Sequence, residues 1–89
     1  MSIKGLVKQF TSALQNKLPP ERVSAVVKRN GANLIVKFEK RTNEDEVIIH
    51  DKLFLDISNA MLELAYELNL CLRRSSNRRD SLTYTFEAV

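Results

Sequence analysis

The residues best equipped for chemistry in this chain are four arginines close to its end. Arg73 and Arg74 precede, and Arg78 and Arg79 follow, the short polar stretch Ser75-Ser76-Asn77. Leu70 and Leu72 stand before this cluster, and Leu82, Tyr84 and Phe86 alternate after it, so the pattern predicts a hairpin turning at Ser75-Ser76-Asn77. Burying an unpaired guanidinium costs several kcal/mol or more, so each must stay solvated or meet an anion. Arginine's planar fork donates two parallel hydrogen bonds, which fits phosphate better than the point charge of lysine. The cluster therefore predicts an anionic partner, with nucleic acid the leading class.

Other reactive side chains are isolated. His50 is the only histidine and Cys71 the only cysteine, so metal-ligand spacing is missing, and no base lies near the thiol in sequence. Glu44-Asp45-Glu46 are adjacent carboxylates in a polar stretch without the calcium-loop pattern, and read as a solvated run. Two glycines, Gly5 and Gly31, make no phosphate-cradling loop. The sequence predicts a non-enzymatic protein with no catalytic residues, metal or cofactor.

The 89 residues are 44% hydrophobic and 28% charged, which fits one small folded domain over residues 1–89. No stretch approaches the roughly 18 uninterrupted apolar residues of a membrane span. Lysines break up the apolar residues at the N-terminus, unlike a signal peptide. A lone cysteine suits a reducing compartment, so the expected location is the cytoplasm, or the host cytoplasm for a viral protein. The net charge of +3 is unevenly spread. Residues 1–43 carry nine bases against two acids, residues 44–70 one base against seven acids, and residues 71–89 four bases against two acids. Either the molecule has basic and acidic faces, or the blocks neutralise one another across the fold.

The elements that must position these groups follow from spacing. Ile3, Leu6, Val7, Phe10, Leu14 and Leu18 recur at helical intervals, with Ser2 as cap and Pro19-Pro20 as terminator. Arg22–Arg29 and Leu34–Lys40 read as strands around Asn30-Gly31-Ala32-Asn33, where Asn-Gly signals a hairpin. Val47-Ile48-Ile49 reads as a third strand, and Leu53-Phe54-Leu55 as a further short strand or the approach to a helix. Ile57, Met61, Leu64 and Leu68 predict a second helix capped by Asp56 or Ser58. The expected architecture is a single α+β domain, ordered α-β-β-β-α-β-β with an antiparallel sheet. Helix, strand, turn and strand occur twice, without sequence identity between the halves.

The stretch Leu34-Ile35-Val36-Lys37-Phe38-Glu39-Lys40-Arg41-Thr42-Asn43, followed by strand, helix, the Leu70-Cys71 strand and a closing hairpin, resembles the C-terminal domain of the MotA family of T-even phage middle-promoter activators. The resemblance in element order spans most of the chain, and at residue level it centres on Glu39–Asn43 and Leu70-Cys71. It implies a saddle-shaped, double-wing sheet that binds DNA. Lys40, Arg41, Thr42 and Asn43 would then lie at the DNA side of one wing, and Arg73, Arg74, Arg78 and Arg79 on the other. The arginine-rich final turn departs from the family's Asn/Gly-rich one, and no helical activation domain precedes this domain in the sequence.

The resulting expectation is a small nucleic-acid-binding regulator, with duplex DNA favoured over RNA, that uses two basic hairpins. Its contact set is Lys28, Arg29, Asn30, Lys37, Lys40, Arg41, Asn43, Arg73, Arg74, Arg78 and Arg79. Lys and Arg would bind phosphates and the asparagines base edges. The aromatic residues fall on predicted core faces, which disfavours a stacking platform for single strands. The alternative is an interaction module or inhibitor that docks a charged surface on a host protein. A secretion-chaperone-like α+β dimer shares part of the element order but ends in a helix that this chain lacks. Either a monomer or a homodimer is compatible; Val26 and Ile35, apolar on the outer strand face, hint at a contact between copies.

Overall fold

The computed structural model describes residues 3–40 and 49–88. Its elements run α1 (Ile3–Lys17), β1 (Ala25–Asn30), β2 (Asn33–Glu39), α2 (Asp51–Glu67), β3 (Leu70–Asn77) and β4 (Ser81–Ala88). This is the expected α+β class. Of the predicted third strand, Val47 and Ile48 lie outside the described residues, and Ile49 belongs to no strand.

In α1, Leu6, Phe10 and Leu14 line one face and are buried, and Leu18 continues that line just past the helix. The helix stops before Pro19-Pro20, as proline requires. The chain then makes a turn closed by the Arg22 N–H on the Pro19 carbonyl (2.9 Å). That turn corrects the expected strand start: Arg22 and Val23 belong to the connection, and β1 begins at Ala25. Its hairpin with β2 pairs Asn30 with Asn33, so the two-residue loop is Gly31-Ala32, the centre of the expected Asn30-Gly31-Ala32-Asn33 turn. Gly31 has φ +63°, a region that costs other residues roughly 1–2 kcal/mol.

Helix α2 starts six residues earlier than Ile57. His50 is its cap, accepting the Leu53 N–H on Nδ1 at 3.3 Å, in place of Asp56 or Ser58. Leu53-Phe54-Leu55 are therefore helical. Leu53 shares the helical spacing of Ile57, Ala60, Met61 and Leu64 and is buried with them, which decides against a strand. At the far end the Leu68 N–H bonds the Leu64 carbonyl (2.9 Å), and Asn69 takes φ +58°, a left-handed stop that asparagine tolerates.

The sheet has the order β1-β2-β4-β3 and is antiparallel throughout. Two helix–hairpin units thus meet along one central seam, β2 against β4, which pairs Val36 with Tyr84. Strand alternation sends Leu34, Val36, Phe38, Leu82, Tyr84 and Phe86 to one face, where all are buried. Helices α1 and α2 cover that face, with Phe10 against Phe86 (ring centroids 5.6 Å) and Phe38 edge-on to Tyr84 (6.0 Å). No helix of the described residues is long and apolar enough to cross a membrane. The opposite face of the sheet is covered by no described element.

Candidate nucleic-acid interface

Strand register assigns each side chain of the uncovered face. One row across the four strands runs Lys28, Ile35, Thr85, Arg74; a second runs Val26, Lys37, Thr83, Ser76; a third runs Asn30, Asn33, Glu87, Cys71. Neighbouring strands lie about 4.8 Å apart, so Lys28 on one edge stands roughly 14 Å from Arg74 on the other. No aromatic ring projects from this face, because Phe38, Tyr84 and Phe86 occupy the core side.

Arg73 and Arg74 are consecutive, and a regular strand would send them to opposite faces. The register between β3 and β4 shifts between Leu72 and Arg74, leaving Arg73 as the extra residue of a β-bulge. As a result both arginines serve the open face. Arg74 opposes Thr85, and Arg73 donates from Nε to Glu87 Oε2 at 2.7 Å. That hydrogen bond, with the attraction of the Glu87 carboxylate, pushes the Arg73 guanidinium above its usual pKa. Asn30, Asn33, Ile35, Arg73, Arg74 and Thr85 line a depression at this end of the face.

The expected turn at Ser75-Ser76-Asn77 is corrected by the same register. Those residues are paired in β3, and the loop is Arg78-Arg79-Asp80, closed by the Arg78 N–H on the Ser81 carbonyl (2.8 Å). Arg78 and Arg79 thus occupy the tip, while Arg73 and Arg74 lie about 16 Å back along the strand at 3.3 Å per residue. The two hairpin tips also do not meet: Gly31-Ala32 lies beyond Asn33 and Arg78–Asp80 beyond Glu39, at opposite ends of the sheet, and the span from Asn33 to Glu39 alone is about 20 Å.

Among the other expected contacts, Lys28, Asn30 and Lys37 belong to the open face, whereas Arg29 faces the helix side by its pairing with Leu34. Lys40 serves as a clasp. Its backbone N–H bonds the Asp80 carbonyl (2.8 Å), and its ammonium bonds Asn77 Oδ1 and the Arg78 carbonyl (2.9 Å to the latter), which fixes the tip. Arg41 and Asn43 lie outside the described residues. Thr83, Thr85 and Glu87 also stand on this face, outside the expected contact set. Their signal was the polar half of the same alternation that marked Leu82, Tyr84 and Phe86 as core.

Charge is partitioned between the layers. Residues 25–40 and 70–88 hold eight bases against Glu39, Asp80 and Glu87, whereas α2 holds Lys52 against four acids. Three of those acids are paired at the α1–α2 seam: Lys17 Nζ lies 2.8 Å from Glu63 and 3.1 Å from Glu67, and Arg22 2.7 Å from Asp56. Among the described residues, Lys28, Lys37, Arg74, Arg78 and Arg79 form no ion pair. Both readings of the charge pattern hold in part: the seam neutralises, and the sheet stays basic. Among the described residues no three His, Cys, Asp or Glu side chains gather as a metal site would require. No protein-family model matches the chain, and no curated protein sequence matches it.

Proposed function

We propose that the uncovered sheet face binds the phosphodiester backbone of duplex nucleic acid, with DNA the expected form, in a regulatory rather than enzymatic role. The observation that carries this reading is that Lys28, Lys37 and Arg74, without an ion pair among the described residues, share a face that no described helix covers, joined by Arg73 through the bulge. Lys28 and Arg74 border the face at a separation close to the ~12 Å width of a DNA major groove, so the two edges can address the two phosphate strands. Asn30, Asn33, Thr83 and Thr85 between them offer neutral hydrogen bonding. The lack of outward aromatic rings favours duplex over stacked single strands. The double-wing resemblance agrees in class, but the bulge-centred face replaces the hairpin tips as the contact surface, with Arg78 and Arg79 flanking it.

Fluorescence anisotropy against duplex DNA, single-stranded DNA and RNA at several salt concentrations tests the reading. Four phosphate contacts give a slope of roughly −3 to −4 in log affinity against log salt for duplex DNA. Replacing Lys37 and Arg74 together with alanine then lowers affinity and flattens that slope by about two. No binding at low salt, or binding indifferent to these substitutions, sinks it.

A further inference from the structure

We propose that the outward face of α2 is the interface of a twofold homodimer, an inference that does not depend on nucleic-acid binding. Three large apolar side chains are exposed there: Leu55 (60%), Leu62 (62%) and Tyr66 (90%). At 100° per residue they fall within about 40° of one line, opposite the buried stripe of Leu53, Ile57, Met61 and Leu64. Helix α2 therefore has two apolar faces, and the sheet and α1 use only one. Leu55, Asn59, Leu62 and Tyr66 recur at 4, 3 and 4 residues, the spacing by which paired helices interdigitate.

The occupant is a second copy because the surface complements itself. Tyr66 is the protruding residue at one end of the line. Some 16 Å away, at 1.5 Å per residue, Leu55 stands next in sequence to Asp56, which with Arg22 and Asn59 lines an open cleft between the end of α1 and α2. An antiparallel twofold brings each Tyr66 over the partner's Leu55 and beside that cleft, so one operation fills both ends. The charges agree. On one flank Asp56 is neutralised by Arg22 and Glu63 by Lys17, so reversal sets two neutral ion pairs side by side rather than unpaired like charges. The other flank carries the small Ser58 and Ala65, which let the helices approach. An interface of one helix face and its flanks buries on the order of 1,000 Å², near the lower limit for specific association, so the dimer exchanges with monomer.

Sedimentation equilibrium over a wide concentration series is the test. The wild type is expected to rise from one chain mass toward two, while Leu62→Glu and Tyr66→Ala stay monomeric with unchanged circular dichroism. A wild type monomeric at every concentration, or variants that dimerise as it does, overturns the proposal. Orientation is read in a Cys71→Ser background. Ser58→Cys/Ala65→Cys, which leaves Leu55, Leu62 and Tyr66 in place, should form an intermolecular disulfide, since those positions lie about 10 Å apart along one helix at 1.5 Å per residue, too far to bridge internally. Ser58→Cys alone should not, and efficient crosslinking of that single variant overturns the antiparallel arrangement.

Discussion

Arg73 and Arg74 differ only by one step of the backbone, yet the bulge gives them different work. Arg73 is held by Glu87, whereas Arg74, opposite the neutral Thr85, has no ion pair among the described residues. A phosphate approaching the face meets Arg74 directly and must compete with a carboxylate for Arg73. Arg74→Ala is therefore expected to cut duplex-DNA affinity several-fold and to reduce the salt slope by about one. Glu87→Gln should act in the opposite sense, freeing Arg73 and tightening binding. Anisotropy titrations of both variants at matched salt check the pair, and weaker binding by Glu87→Gln refutes the competition. The four arginines were visible in the sequence from the start. Their separation into two pairs was not, because a one-residue slip in strand register leaves no mark on composition or periodicity.

The seam between the two helices depends on Lys17, which reaches both Glu63 and Glu67 across the fold. The hydrogen bonds that its ammonium donates to Glu63 and then to Glu67 raise its pKa above the ordinary 10.5. A raised folded-state pKa contributes stability that is fully present below the unfolded value and is lost as pH climbs through the folded one. Urea midpoints of wild type and Lys17→Met should therefore differ at neutral pH and converge in the alkaline range above 10.5. A difference that persists there argues that the aliphatic stem, not the ammonium, carries the effect. In the first hairpin, Gly31→Val forces a β-branched side chain to φ +63°, an expected cost of about 1–2 kcal/mol in chemical denaturation. The hairpin's existence was legible, since β-branched runs flank Asn-Gly. The start of α2 was not. Its cap is a histidine, outside the residue types that usually announce a helix, and Leu53-Phe54-Leu55 is an apolar run whose period is too short to tell helix from strand.

At the scale of the molecule, α1 and α2 cover one side of the sheet and leave the basic side open, so pairing through α2 turns two basic faces away from each other. Such a dimer is bivalent, and it should bridge separate duplexes: light scattering of long DNA with wild type is expected to rise where Leu62→Glu, which still binds, leaves it flat. The central seam has a different consequence, in time rather than in space. Strands β2 and β4 pair residues 33–39 with residues 81–87, so the middle of the sheet is its most sequence-distant contact. Each helix–hairpin unit forms from near neighbours, but the core they share, with Phe10 against Phe86, is complete only when that seam closes, and closing so long a loop has an entropic cost. The encounter of the halves should then limit the folding rate. Stopped-flow refolding of Val36→Ala is expected to slow folding, whereas Val27→Ala, on the edge strand, should mainly speed unfolding.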